Sequence, residues 1–499
     1  MQRSDYRATA VVALGLVIAS LTGFARQAVL ASRLGVGAAA DTFLVAYILP
    51  EFVSVALPIV LTPAFLPLFA SLRLREGDTS AWRLAFQISL LLVAVLAVIT
   101  LLAAVTTPVY LPILAPGFRD EQVSHAVAVS RLMLPAIVLM GLVSLFGPIL
   151  QVYRRFWRPA LGTGAFNVGF AATLLAPIAL LPLHLAAWGV VVGTVLALGL
   201  LLPLVWRHRP QGFDWISVRP EPTVRDFARL AGPMLIGYAV HHIVLLVDRA
   251  MATQLGTGSA SSLNYAYHIA LAVGQISGLA VSTAVFPRVS EQLADDDVIA
   301  ARGSLSDALR LAWVIGVPAA LFLIVLRQPL IELLLEHGAF GPSATLAVAG
   351  PLFWYALAVL SDALCQPLWR TVYAGRLSHV VISVNLMQTA IRIAASFVLT
   401  ASFGYNGLAI SAFIGLTLQA VVLGAIVRRR IGSFLGSAWW RQVALSSLAA
   451  AIAAIASYLV GRQAMATHTV IQIGAGGIAG GALYVAALAT LTRWERRLS

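Results

Sequence analysis

The residues best placed to do chemistry are ionisable side chains embedded in apolar surroundings: Arg26, Asp41, Glu51, Arg131, His241, His242, Asp248, Arg249, His268, Asp362 and Arg392. A charge in hydrocarbon is costly, so each is a candidate for ligand binding or ion coupling. His241 and Asp248 are seven positions apart and share a helix face. His242 lies about 100° round from His241, so the histidine pair has no metal-site spacing of its own. Convincing paired carboxylates for glycosyl or phosphoryl chemistry are missing. No Gly-rich phosphate loop is present, which argues against nucleotide hydrolysis. The Asp295-Asp296-Asp297 run precedes a helix, where carboxylates complement the helix N-terminus better than they chelate a metal. The expectation is therefore no enzyme and no resident cofactor.

The elements that must position these residues are membrane helices. Of 499 residues, 60% are hydrophobic and 11% charged, with mean hydropathy +0.91; soluble domains carry about 25% charge. Apolar stretches long enough to span occur near 8–25, 41–70, 83–107, 124–152, 160–181, 184–206, 227–251, 260–287, 304–326, 346–369, 378–401, 405–427, 442–461 and 470–492. The fold class expected is all-α integral membrane, with about fourteen transmembrane helices.

The basic residues number 33 and include no lysine. Assigned to alternate sides of the bilayer, roughly 25 arginines fall on the N-terminal side and roughly 6 on the other, which places both termini in the cytoplasm. The net charge of +13 then belongs to loops facing anionic headgroups, not to nucleic acid. Arg3 and Arg7 before an apolar run resemble a secretory leader, but without a small-residue cleavage site the first helix is expected to be retained. Cys365, the single cysteine, excludes an intrachain disulfide and is expected to be packing.

An internal repeat organises the chain. Arg26, Leu34-Gly35-Val36-Gly37, Ala46-Tyr47 and Pro67 are echoed by Arg249, Leu255-Gly256-Thr257-Gly258, Ala266-Tyr267 and Pro287. Arg158, Asn167, Ala172 and Gly189 recur as Arg376, Asn385, Ala390 and Gly407. Each copy holds about six spans, so two pseudo-symmetric six-helix lobes are expected, 1–215 and 216–432, related by an axis along the membrane normal. The polar stretch from His208 to Asp226 reads as an interfacial linker, and 433–499 adds two C-terminal helices outside the repeat. Pro50, Pro58, Pro63 and Pro67 crowd the second span, and broken helices of this kind are tolerated where they line a protein cavity. This is transporter architecture, driven by an ion gradient, the membrane potential or the substrate's own gradient.

Gly23-Phe24-Ala25-Arg26, Leu34-Gly35-Val36-Gly37, Ala40-Asp41-Thr42-Phe43 and Leu49-Pro50 resemble the MurJ (MviN) lipid II flippases. So do Ala115-Pro116-Gly117-Phe118, Leu246-Val247-Asp248-Arg249, Asn264-Tyr265-Ala266 and Phe286-Pro287, and the likeness runs the length of the chain. The family sits in the multidrug/oligosaccharidyl-lipid/polysaccharide exporter superfamily. The resemblance implies a multi-pass protein of the bacterial inner membrane that serves peptidoglycan synthesis. It would flip an undecaprenyl-diphosphate-linked sugar by alternating access, using a cationic cavity.

By that resemblance Arg26 and Asp41 stand at substrate-binding positions; Asp41, fifteen residues on, is expected to hold the arginine in place. Asp248 and Asn385 stand where some members couple to sodium, proton coupling being the other option, although Asp248 could equally pair with Arg249 or Arg392. Three cavity arginines of the family appear here as Ser20, Ser54 and His268, so the cavity is less cationic, with Arg249 and Arg392 as replacements. Implied partners are a lipid-linked glycan, membrane lipids and cell-envelope biosynthesis proteins. The alternatives are an exopolysaccharide or O-antigen flippase, a multidrug or small-solute antiporter, and an envelope-assembly scaffold that no longer transports.

Overall fold

The computed structural model describes the chain except residues 1–2, 156, 179, 212–222, 296, 375–377, 464–476 and 490–499. Most of the expected linker at 208–226 thus lies outside the described residues. What is described is helical: α1 (Arg3–Leu34), α2 (Ala38–Ala46), α3 (Ile48–Glu76), α4 (Asp78–Leu114), α5 (Asp120–Met133), α6 (Ala136–Val152), α7 (Arg158–Leu175) and α8 (Pro182–Trp206). The chain continues as α9 (Thr223–Gln254), α10 (Ser259–Ala294), α11 (Val298–Val325), α12 (Arg327–Leu335), α13 (Pro342–Ala374), α14 (Ser378–Phe403), α15 (Asn406–Ile431), α16 (Ser437–Gln463) and α17 (Gly477–Ala489). The apolar stretches from 8–25 through 442–461 fall on described helices, 41–70 running over α2 and α3 and 124–152 over α5 and α6; of 470–492 only 477–489 lies within the described residues, as α17. Among the described residues, nine helices are long and apolar enough to cross a membrane. Helices α5 and α6 taken together are also long and apolar enough, and are bent by 44° at Pro135, which cannot donate a backbone hydrogen bond. The protein is a multi-pass membrane protein.

Two compact units divide the chain, Met1–Ala260 and Ser261–Ser499. In the first, α1 packs on α7, α3 on α6, and α7 on α8. Lipid gives helices no hydrophobic reason to associate, so close backbone approach at small residues has to hold them. Gly189 and Gly193, four apart on α8, supply it: a Cβ on Gly193 would lie 2.5 Å from the Phe166 carbonyl oxygen, and one on Gly189 3.1 Å from that of Phe170. This Gly-x-x-x-Gly stripe was not read from the sequence, although its spacing is legible there.

The second unit repeats the device. Gly407, the partner of Gly189 in the repeat, lies on α15 against α14, and a Cβ there would meet the Leu399 backbone at 2.5 Å. Asn167 on α7 and Asn385 on α14 occupy matching helices. The Asn167 amide donates to Thr22 Oγ1 at 3.2 Å, and Asn385 Oδ1 accepts from Gln419 Nε2 at 3.2 Å. Cys365 is buried among Leu305, Leu368 and Leu423, the packing role expected of it. The C-terminal helices pack on α11, where Tyr484 donates to the Val314 carbonyl at 2.6 Å and Trp313 Nε1 to Ser447 Oγ at 3.1 Å.

Two intramembrane charges have structural duties. Pro108 has no N–H to offer the Ala104 carbonyl, and Arg131 Nε fills that vacancy at 2.9 Å. Asp362 accepts from Gln366 Nε2 at 3.3 Å. Asp297 caps α11, accepting from the Ala300 N–H at 3.0 Å, in keeping with the helix-start reading of the acidic run.

Candidate functional site

The charged residues of the first unit converge on the faces of α1, α2, α3 and α9. Helix α1 ends at Gly35, whose φ of 63° puts it in the left-handed region that closes helices, and its N–H returns to the Ala31 carbonyl at 2.8 Å. Arg26 sits eight residues before Leu34, the last residue of the helix, about 12 Å from that helix end. Its guanidinium carbon lies 5.5 Å from the ring centroids of both Phe166 and Phe170, within cation–π range. Phe170 in turn meets Phe43 edge-on, and Phe43 stacks on Tyr47, whose hydroxyl lies beside Arg26. Among the described residues Arg26 makes no ion pair. Aromatic faces hold the plane of the cation and leave its in-plane N–H groups suited to an oxyanion.

Asp41, 2% exposed, occupies the first turn of α2. Its Oδ2 accepts a 2.6 Å hydrogen bond from the Gly258 N–H. The carboxylate expected to hold Arg26 thus reaches the Leu255-Gly256-Thr257-Gly258 turn of the second copy of the repeat. Gly256 and Gly258 there have φ of 114° and 88°, the repeated counterpart of the Gly35 turn. A Cβ on Gly258 would sit 2.9 Å from Val36 Cγ1, so the two Leu-Gly-x-Gly turns touch. The same end carries a further tie. Gly117 donates to Thr253 Oγ1 at 3.3 Å, and a side chain on it would run into the Thr253 carbonyl at 2.0 Å, which explains a glycine in Ala115-Pro116-Gly117-Phe118.

Arg249, 8% exposed, is neutralised. Its Nη2 meets Glu51 Oε2 at 2.5 Å and its Nη1 donates to the Leu44 carbonyl at 3.3 Å. Sequence reasoning placed Arg249 with the neighbouring Asp248 as one option; the partner is Glu51, on the proline-rich α3. Asp248 is likewise buried on α9. His242 is wedged between Phe52 and Tyr238, ring centroids 5.4 and 4.7 Å away, the fate of a packed histidine. The His241 side chain lies outside the described residues.

In the second unit, His268 meets the Tyr267 ring edge-on at 5.8 Å. The Arg392 stem packs where α15 carries Gly415, whose added Cβ would stand 3.4 Å from Arg392 Cβ. Arg26, Asp41, Asp248 and Arg249 therefore share one unit, and His268, Asn385 and Arg392 the other.

The described residues form a multi-pass helical membrane protein with one bent helix pair and an arginine, Arg26, that makes no ion pair among them. The fold matches a solved lipid II flippase MurJ in an inward closed conformation, with TM-score 0.81 and 19% identity over 97% of this chain and 98% of that one. It also matches an inward-facing multidrug resistance MATE family transporter of the MOP superfamily, with TM-score 0.70 and 13% identity over 85% and 98%.

The family model described as Lipid II flippase MurJ matches residues 30–479, and the chain belongs to that family. It is 25% identical to the lipid II flippase MurJ of Burkholderia cenocepacia, covering 90% of this chain and 88% of the relative. To the probable lipid II flippase MurJ of Thermotoga maritima it is 26% identical, covering 87% and 92%.

Proposed function

We propose that this protein moves an undecaprenyl-diphosphate-linked sugar, lipid II or a close cell-envelope relative, from the cytoplasmic to the outer leaflet. Membership of the lipid II flippase family supports the substrate class. The observation that carries the chemistry is Arg26: a guanidinium about 12 Å inside the helix end, clasped by Phe166 and Phe170 and lacking an ion-pair partner among the described residues. A diphosphate leaving water needs such a fork to replace its hydration. Arg249, already neutralised by Glu51, contributes when that pair opens during alternating access, and His268 and Arg392 are further residues proposed to bind substrate.

The proposed lobes are 1–215 and 216–432, with 433–499 as an appendage whose described helices, α16 and α17, pack on α11. Both termini face the cytoplasm, as the arginine asymmetry supports. The protein is a carrier and not an enzyme, needs no cofactor, and works among membrane lipids and envelope-synthesis proteins. Asp248 and Asn385 are the groups proposed for sodium or proton coupling. The test is reconstitution: purified protein in proteoliposomes loaded with lipid II should expose it to an enzyme or label confined to the far side. Exposure no faster than in protein-free liposomes overturns the proposal.

A further inference from the structure

The ends of α1, α2, α5 and α8 and the α9–α10 turn enclose a cavity of about 550 Å³, on the side of the first unit opposite the N-terminus. That volume is in the range of small-ligand sites. Arg33, Arg119 and His125 line it from separate segments, and Glu121 is the one carboxylate among the lining residues. Arg33 spends one N–H on the Leu175 carbonyl at 3.4 Å, and Arg119 makes no ion pair among the described residues.

The wall between them is the start of α2. Gly37 offers no side-chain cap, and Ala38 and Ala39, whose amides have no acceptor within the helix, line the cavity. Gln122 fixes this wall by donating to the Ala38 carbonyl at 3.3 Å and to Thr42 Oγ1 at 3.2 Å. Two arginines and an uncapped helix start lining one cavity supply the donors that an oxyanion site needs. Two further lining residues adjoin the Asp41–Gly258 bond: Thr42 follows Asp41 and Thr257 precedes Gly258.

We propose that this cavity is a second oxyanion site, distinct from Arg26, which takes a phosphate or diphosphate group and while occupied holds α2 against the α9–α10 turn. Two sources offer that chemistry. One is the headgroup of the lipid-linked substrate as it leaves on this side, which rests on the function proposed above. The other is free phosphate in solution.

The test is hydrogen exchange on the full-length protein in nanodiscs, titrated with inorganic diphosphate. Exchange in residues 33–42 and 119–125 should slow saturably, and Arg33→Gln/Arg119→Gln should need about tenfold more diphosphate for half the effect. Both side chains are exposed, so the fold should persist, and Arg119→Gln alone serves as a second variant with a smaller shift in the same direction. An unchanged midpoint in both variants, or no slowing below about 10 mM, overturns the site.

Proteoliposomes then separate the sources. If the site serves free anion, external phosphate alters transport by the parent and not by the double variant; if it serves substrate, the double variant is slower without any added phosphate. A double variant that transports as the parent does and is as sensitive to phosphate contradicts both. A parent that moves no lipid-linked diphosphate at all sinks the proposed function and leaves the diphosphate titration standing.

Discussion

Asp41 accepts a 2.6 Å hydrogen bond from the backbone N–H of Gly258, so the first turn of α2 is tied to the Leu-Gly-x-Gly turn of the second copy of the repeat. A buried carboxylate on a backbone donor is a charge-assisted bond, and deleting it leaves the N–H without that acceptor. Asp41→Ala should cost about 1.5–3 kcal/mol and lower the thermal midpoint in detergent, with Asp41→Asn milder because an amide oxygen still accepts. Gly258→Ala should cost about 1–2 kcal/mol from its φ of 88°, before the Val36 contact is counted.

The Arg249–Glu51 pair is mostly buried, and breaking it from one side strands a cation. Glu51→Gln is expected to lose about 3–5 kcal/mol, whereas Glu51→Leu/Arg249→Leu recovers most of that. A double-mutant cycle on unfolding measures the coupling, and additive losses would show that the pair is not energetically linked.

The α7–α8 contact positions Phe166 and Phe170, and through them Arg26. Gly193→Ala places a carbon 2.5 Å from the Phe166 carbonyl, so it should lower both the thermal midpoint and diphosphate binding. Gly199→Ala on the same helix meets nothing within 4 Å and should change neither.

At the opposite end of the unit, the Tyr153 hydroxyl receives a hydrogen bond from Trp82 Nε1 at 3.0 Å and donates to Asp78 Oδ1 at 3.1 Å, while its ring stacks on His208 at 4.3 Å. Burial pushes the Tyr153 hydroxyl up to about 12, which keeps the donor protonated. Burial first, then Arg158, Arg155 and Arg73, hold His208 below the usual histidine range. Below about pH 6.5 the unfolded chain binds a proton that the folded imidazole refuses, so stability falls as the pH drops. The thermal midpoint should decline between about pH 7 and 5.5, and His208→Phe, which keeps the stack, should flatten that decline.

Local pattern made the helices, the repeat and the intramembrane charges legible, because hydropathy and glycine turns act over a few residues. Arg26 and Asp41 were readable for the same reason. Their partners were not. Asp41 meets a backbone amide 217 positions away, Glu51 lies 198 positions from Arg249, and Phe166 reaches Arg26 only because α7 packs on α1. No spacing encodes such contacts, although the repeat marks the two Leu-Gly-x-Gly turns as counterparts. The pairing of Arg249 with Glu51 rather than a chain neighbour follows from helix geometry, which points adjacent side chains about 100° apart.

The most direct measurement compares transport of a lipid-linked diphosphate sugar by the parent, Arg26→Ala and Arg26→Lys in proteoliposomes at limiting substrate. Losing a charge-assisted fork should cost about 1.5–3 kcal/mol, a fall of tenfold or more in effective affinity for Arg26→Ala. Arg26→Lys should recover only part, since an ammonium keeps the charge and not the planar geometry. Equal rates for parent and Arg26→Ala would contradict the assignment of phosphate recognition to this residue.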